Sequence, residues 1–500
     1  MTFVVKGGIP RSCPAKGFAF DVTSLTAPDG SISTYGYDTL NRLNGLANSW
    51  AGSFGFSYDA LSRRTQLTRP NGVTTNYNYD SLSHLLSVLH QAGVNTLDGA
   101  SYTYDPAGNR TAKTNYLNAT TSNYTYDPLY ELTQVTQGSS TTESYSYDPV
   151  GNRLSSSGMA SYSYNPSNEL TANSLGSYTY DANGNTLSDP SGKSYSWDFE
   201  NRLTQVVNPG VGTTTFKYDP FGRRIYKSSP TWTGAFVYDG RNLIETMNSS
   251  GAEVADYTQG PSLDEPLSEL RGSTVSFYQV DFLGSITSLT NPAGALANTY
   301  TYDSFGNLTN STGALSNPFR YTGREFDQET GIYNYRFRYY DPTLGRFLSE
   351  DPIRWAAGTD FYHYADGNPV SEVDPLGLDT KICYYPSNNQ PWGHIGFGLP
   401  QEGQQGTYGF YPDSSNVLDG PGKVKPDNEH KPTQCKVIPA TPDQDQCMLK
   451  CQAQRQSSPG NYKAFSRQCT SFVRDCLKQC GEPSGNYTGP RPWPLFDGLP

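Results

Sequence analysis

The feature that most constrains this chain is a four-residue unit, Tyr-x-Tyr-Asp, repeated from Tyr35 to Asp303. Full copies stand at Tyr35–Asp38, Tyr77–Asp80, Tyr102–Asp105, Tyr124–Asp127, Tyr145–Asp148, Tyr178–Asp181 and Tyr300–Asp303. Degenerate copies stand at Phe56–Asp59, Tyr162–Asn165, Tyr195–Asp198, Phe216–Asp219 and Phe236–Asp239. The aspartates at 38, 59, 80, 105, 127 and 148 are 21 to 25 residues apart, the length of two short strands with their turns. Aromatics at alternate positions share one face of a strand. The aspartate then ends the strand. Turn residues follow, as in Asp105-Pro-Ala-Gly108, Asp148-Pro-Val-Gly151 and Asp219-Pro-Phe-Gly222, where Pro presets φ and Gly supplies the reversal. One repeat cannot bury its aromatic face alone, so stacked copies predict a single long, coiling sheet. The regular spacing makes the tyrosines scaffold and assigns them no chemistry. A glycan-stacking surface is the rival reading.

Composition supports a mainly β chain in two parts. The 500 residues include 49 Gly, 35 Pro and 38 Tyr with only 17% charged residues, which disfavours helix bundles and coiled coils. No apolar run reaches the roughly 18 residues of a membrane span. The first residues lack the apolar core of a signal peptide, so export is expected to rest on other machinery. Residues 1–378 carry 24 Lys+Arg against 36 Asp+Glu, while residues 379–500 carry 12 against 11. Neither part has the basic footprint that nucleic-acid binding normally needs, so no nucleic-acid partner is expected. Cys13 alone precedes residue 379, and seven cysteines follow it. These shifts predict a lead-in over 1–30, a repeat region over 31–310, a closing segment over 311–378 and a separate domain over 379–500.

Tyr-Asp repeats of this length, followed by Tyr321-Thr-Gly-Arg-Glu-Phe-Asp and Tyr340-Asp341-Pro-Thr-Leu-Gly-Arg-Phe-Leu-Ser-Glu-Asp351-Pro, resemble the RHS/YD-repeat proteins over residues 30 to 378. The resemblance implies a spiralling β shell, hollow in the family, that encloses a variable C-terminal toxin. Family shells are longer, so a shortened or incomplete cocoon is the expectation. Pro369-Val-Ser-Glu-Val-Asp374-Pro-Leu-Gly377-Leu378 is similar to the motif that ends the family's core, a self-cleavage site. By that resemblance the cut falls between Leu378 and Asp379. Peptide hydrolysis there needs one carboxyl as acid and another as base. Asp374 and Asp351 are the candidates, and Arg338 stands where the family has a supporting arginine. An isolated Asp-Pro would merely start a turn. The family also implies a cognate immunity protein, a secretion machinery such as a type VI system with its adaptor, and secretion or delivery into a competitor or host cell.

The last domain lacks the motifs of zinc deaminases, zinc sites and nucleotide-binding loops, so no cofactor or metal is expected. Two segments carry chemistry. Trp392-Gly-His394-Ile-Gly-Phe-Gly-Leu399 alternates like a strand, and Phe465-Ser466-Arg-Gln-Cys469 opens a predicted helix that runs to Gly481. Ser466 as N-cap puts Cys469 in the first turn, where the helix dipole favours a thiolate. Cys469 is therefore the candidate nucleophile with His394 as its base. A histidine on a strand followed by Gln-Cys at a helix start resembles the circularly permuted papain-like (NlpC/P60-like) group, which implies an α+β fold and amide or ester hydrolysis. His430, and more weakly Asp427, is a candidate third member. Cys447 with Cys451 and Cys476 with Cys480 lie four apart on two predicted helices and suit two disulfides. Cys383 with Cys435 suits a third, leaving Cys469 free. The resulting reading is a polymorphic toxin whose shell releases a thiol hydrolase. The alternatives are a glycan-binding surface protein with a disulfide-stapled tail, or a toxin of the nuclease class.

Overall fold

The computed structural model describes residues 22–352 and 360–378 with their side chains, and beyond them the backbone of six strands between Asp379 and Lys463. Every described sheet is antiparallel. Thirteen strands, from Ser24–Thr26 to Arg153–Ser156, form one sheet in which each strand pairs with the next in sequence. A three-stranded sheet follows, and then a fourteen-stranded sheet from Thr179–Tyr180 to Leu308–Thr312. This meander is what hairpins strung on a 21-to-25-residue repeat must build.

The repeat fixes each hairpin through three contacts. The Asp carboxylate caps its own turn: in the first repeat, Oδ1 of Asp38 accepts from the backbone of Leu40 and Arg42, and Oδ2 accepts from the Arg42 side chain. The Arg42 backbone and guanidinium together hold that carboxyl below its ordinary range. The same pattern recurs at Asp59, Asp105, Asp148, Asp181 and Asp219. At the second aromatic of each unit the strand register slips by one residue, a β-bulge, as at Tyr58, Tyr104, Tyr147 and Tyr218. The slip turns that ring so that its hydroxyl donates to a carbonyl of the preceding repeat. Tyr58 reaches Leu43 O at 2.8 Å, Tyr104 reaches Leu85 O at 2.8 Å, Tyr147 reaches Leu132 O at 3.0 Å and Tyr218 reaches Leu203 O at 2.6 Å. The copy that ends in tryptophan keeps this clasp too, with Trp197 Nε1 donating to Thr186 O at 2.7 Å.

The first aromatic of most units is buried, namely Phe56, Tyr102, Tyr124, Tyr162, Tyr178, Tyr195, Phe216 and Tyr300, and those of the other four, Tyr35, Tyr77, Tyr145 and Phe236, are partly buried. These rings pack between layers, which removes the aromatic array on which a glycan surface would depend. The two large sheets meet face to face. Phe54 packs on Phe277, His90 Nε2 lies 3.0 Å from Val280 O, Lys113 pairs with Asp281 at 2.9 Å and Asn71 donates to Asn291 O at 2.9 Å. Over these strands the side chains of the two layers are in direct contact. Burial of each large aromatic contributes about 1.5–3 kcal/mol.

The closing segment seals the end of this double layer. Glu325–Asp327, Ile332–Tyr335, Arg338–Asp341 and Arg346–Phe347 form a four-stranded sheet. Its core is aromatic, with Tyr321, Tyr333, Tyr335, Tyr340, Phe347 and Tyr364 all buried against one another. Their hydroxyls are satisfied inside: Tyr333 donates to Gly306 O, Tyr340 to Phe305 O and Tyr321 to Pro369 O. A buried ionic cluster, in which Arg224 and Lys227 meet Glu325, Asp327 and Glu329, ties the segment to the fourteen-stranded sheet.

Directly after Leu378 the chain enters a different sheet. Asp379–Tyr385 pairs with His394–Gly398 on one side and Gln434–Pro439 on the other, within a six-stranded antiparallel sheet. The register sets Cys383 opposite Cys435. The helices expected after Thr441 and Ser466, and the disulfides expected between them, lie outside the described residues.

Candidate functional site

Three of the residues singled out in the sequence converge where the shell ends. Arg338 leaves the strand Arg338–Asp341 with its side chain only 2% exposed. Its Nη2 lies 2.8 Å from Asp351 Oδ2 and 3.1 Å from Asp374 Oδ2. Its Nε donates to Gly377 O at 2.6 Å, its Nη1 to Phe361 O at 3.0 Å, and the guanidinium stacks 3.6 Å from the Phe347 ring. One side chain thus holds both carboxylates and the backbone that leads to Leu378. The planar fork of arginine is what permits several directed contacts at once.

Asp374 also grips the chain locally. Its Oδ1 accepts from the Leu378 backbone N–H at 3.0 Å, closing a loop over Pro375-Leu376-Gly377. Gly377 has φ +69°. A Cβ at this position would lie 3.1 Å from Tyr335 O and 3.2 Å from the Arg338 Cβ, so the motif's glycine is a requirement of both conformation and space. Leu376 and Leu378 are buried and anchor the end of the segment. Burial pushes the Asp374 carboxyl above its ordinary range, although the Arg338 guanidinium and the N–H groups of Leu378, Gly377 and Leu376 pull it down. Asp351 is fully buried, and its backbone N–H donates to Phe361 O at 2.9 Å.

The site therefore presents two buried carboxyls on one guanidinium, four residues or fewer from the Leu378–Asp379 bond on the Asp374 side. Two carboxyls held on one guanidinium, one of them raised by burial, are an arrangement in which one can act as acid and the other as base. Phe361, Phe347 and Arg336 belong to the same setting and went unread in the sequence. Arg336 donates to Pro375 O at 2.5 Å and pairs with Asp264, which also meets Arg324. The run Tyr335-Arg336-Phe337-Arg338 carried the signal, because two arginines set among aromatics at a tight turn require acidic partners once they are drawn out of water.

The thiol-hydrolase candidates are not brought together among the described residues. His394 lies on the strand His394–Gly398, whose backbone pairs it with Tyr385. Cys469, His430 and Asp427 lie outside the described residues.

The family model of the Teneurin YD-shell matches residues 100–370. The chain is 30% identical over 212 residues to the double-stranded DNA deaminase toxin A of Burkholderia cenocepacia, covering 35% of this chain and 14% of that protein. It is 33% identical over 289 residues to the tRNA3(Ser)-specific nuclease WapA of Bacillus spizizenii, covering 55% of this chain and 11% of that protein. It thus spans only a small part of these relatives. Among solved structures, the TcdB2-TccC3-Cdc42 complex superposes with a TM-score of 0.60 at 22% identity, covering 71% of this chain and 21% of that one. That likeness establishes the fold. The family model spans more than half of the chain, and the protein belongs to the Teneurin YD-shell family.

Proposed function

We propose that this chain is the shell-and-effector portion of a polymorphic toxin, and that it cuts itself between Leu378 and Asp379. The observation that carries the reading is the convergence of Asp351 and Asp374 on Arg338 immediately before the chain enters a new sheet at Asp379. Asp351 takes a proton from water, and the water oxygen attacks the Leu378 carbonyl carbon. Asp374, whose carboxyl burial raises above its ordinary range, gives its proton to the Asp379 nitrogen as the bond breaks. The products are a carboxyl on Leu378, which stays buried in the shell, and a free amine on Asp379, with one of the water's protons on Asp351 and the other on the new carboxyl. Arg338 holds both carboxyls and the Gly377 carbonyl in place. The boundary at Leu378 then separates shell from effector.

For the effector, the relatives' names favour the nuclease class over the thiol hydrolase. Two of the matched proteins are named for action on DNA or tRNA. A nucleic-acid target goes with that reading, in place of the sequence-based expectation of no nucleic-acid partner. The thiol-hydrolase reading rests on Cys469 and His394 in the sequence alone. A cognate immunity protein and a delivery machinery go with the toxin reading. Inducing the full chain in a sensitive bacterium tests these points together. The nuclease reading predicts growth arrest with loss of intact tRNA or DNA, unchanged by Cys469→Ala. Growth arrest abolished by Cys469→Ala with nucleic acids intact would restore the thiol hydrolase. Asp374→Asn should leave the chain uncut in either case.

A further inference from the structure

Far from the junction, a second group of carboxylates gathers at the seam between the two large sheets. Asp29 lies in the turn joining Ser24–Thr26 to Ile32–Tyr37, where its Oδ1 accepts from the Ser31 N–H at 2.9 Å. Glu253 and Asp256 lie on the strand Glu253–Gln259 of the other sheet. One oxygen from each of the three falls within 4.8 Å of the others. Glu245 stands opposite Asp256 in the neighbouring strand. Asp256 and Glu245 are 3% and 2% exposed. Neither oxygen of Asp256, nor Oε2 of Glu245, has a hydrogen-bond partner. Among the described residues no lysine or arginine forms an ion pair with any of the four.

Buried carboxylates without donors or counter-charge are costly, and the group needs either protons or a cation to be tolerated. The ligand set decides which cation would fit. Oxygen atoms sharing one Ca²⁺ at about 2.4 Å stand at most about 4.8 Å apart, as these do. Carboxylates alone, without imidazole or thiolate, suit a hard ion rather than zinc. Mg²⁺ requires near-ideal octahedral geometry, whereas Ca²⁺ accepts irregular and bidentate carboxylates. Asp256 also borders a cavity of about 60 Å³ with Ser31, Ser33, Asn48, Asn242 and Thr258. The Asn242 and Thr258 side-chain oxygens there are unpartnered as well, giving waters a polar place beside the ion.

We propose that Asp29, Glu253 and Asp256 bind one Ca²⁺ ion, backed by Glu245, and that the ion staples the first described hairpin to the fourteen-stranded sheet. The residues come from chain positions more than two hundred apart, so the ion closes a long-range seam that hairpin repeats cannot close themselves. This inference is independent of the self-cleavage reading and departs from the sequence-based expectation of no metal.

The test uses the full chain, freed of metal with chelator and dialysed at pH 7.5, then titrated calorimetrically with CaCl₂ and melted with and without it. The proposal expects one Ca²⁺ per chain, a rise in Tm of roughly 3 °C in excess ion, and weaker binding of Mg²⁺. Asp256→Asn should lose at least tenfold in Ca²⁺ affinity while its metal-free Tm is equal to or above that of the parent, because a buried charge has gone. The exposed Glu253→Gln guards against misfolding and should lose the Ca²⁺ response with an unchanged metal-free melt. No calorimetric binding, or an undiminished Ca²⁺ response in both variants, overturns the proposal. In the first case a proton shared between Asp256 and Glu253 answers the buried charge instead.

Discussion

Asp351 and Asp374 at the end of the shell, and Glu245 and Asp256 at its seam, are buried to a similar depth. They differ in what answers their charge. At the junction Arg338 contacts both carboxylates and three neighbouring groups. At the seam the described residues supply no cation at all. The comparison separates two uses of buried acid. A built-in guanidinium fixes carboxyl geometry whatever the solution contains, as the proposed acid–base chemistry on one peptide bond requires. A cluster without one takes its counter-charge from solution, and its stability then depends on what the solution offers.

The junction side can be broken in graded ways. Asp374→Asn keeps the shape and removes the acid, and should slow cleavage by roughly 10²–10⁴-fold, read as uncut chain on a gel over time. Arg338→Ala leaves two carboxylates buried without their cation and should cost about 3–5 kcal/mol in denaturant unfolding, with cleavage lost as well. Adding Asp351→Asn to that variant should restore part of the stability but none of the cleavage. Gly377→Ala meets both a positive φ of 69° and a 3.1 Å contact with Tyr335 O. It should cost about 1–3 kcal/mol and slow cleavage without removing either carboxyl.

The scaffold gives a smaller effect. Tyr58→Phe removes one clasp, that to Leu43 O, and should cost about 1 kcal/mol in a thermal or denaturant melt. At the seam, carboxyls raised to about 7 and about 8 are favoured in the fold when protonated. Without metal, the chain should lose stability as pH rises through those values, and excess Ca²⁺ should flatten that slope. A metal-free melt that is flat across neutral pH would remove the contrast between the two regions.

Much of the architecture was legible in the sequence because one unit specifies both strand and turn. Tyr-x-Tyr-Asp placed the hairpins, and the Asp-Pro-x-Gly runs placed their reversals. The bulge at the second aromatic was hidden, since a one-residue register slip leaves no trace in composition. So was the substitution of Gln259, whose Nε2 donates to Leu243 O in the place of a tyrosine hydroxyl. The face-to-face meeting of the sheets was also unreadable. Pairs such as Arg64 with Glu265 are set by how far the sheet coils and by no local pattern. At the candidate site, Asp351, Asp374 and Arg338 were found because motifs carry them. Phe361 contributes only a backbone carbonyl and Asp264 lies in a connecting turn, so neither announces itself. The seam carboxylates are separated by too much chain for any spacing rule to join them.

The central claim is the cut after Leu378, and intact mass of the purified full chain under denaturing conditions tests it most directly. The account predicts two fragments whose masses place the break between Leu378 and Asp379, and a single uncut species for Asp374→Asn. A parent chain that stays whole, or an Asp374→Asn chain that still divides at Leu378, would contradict it.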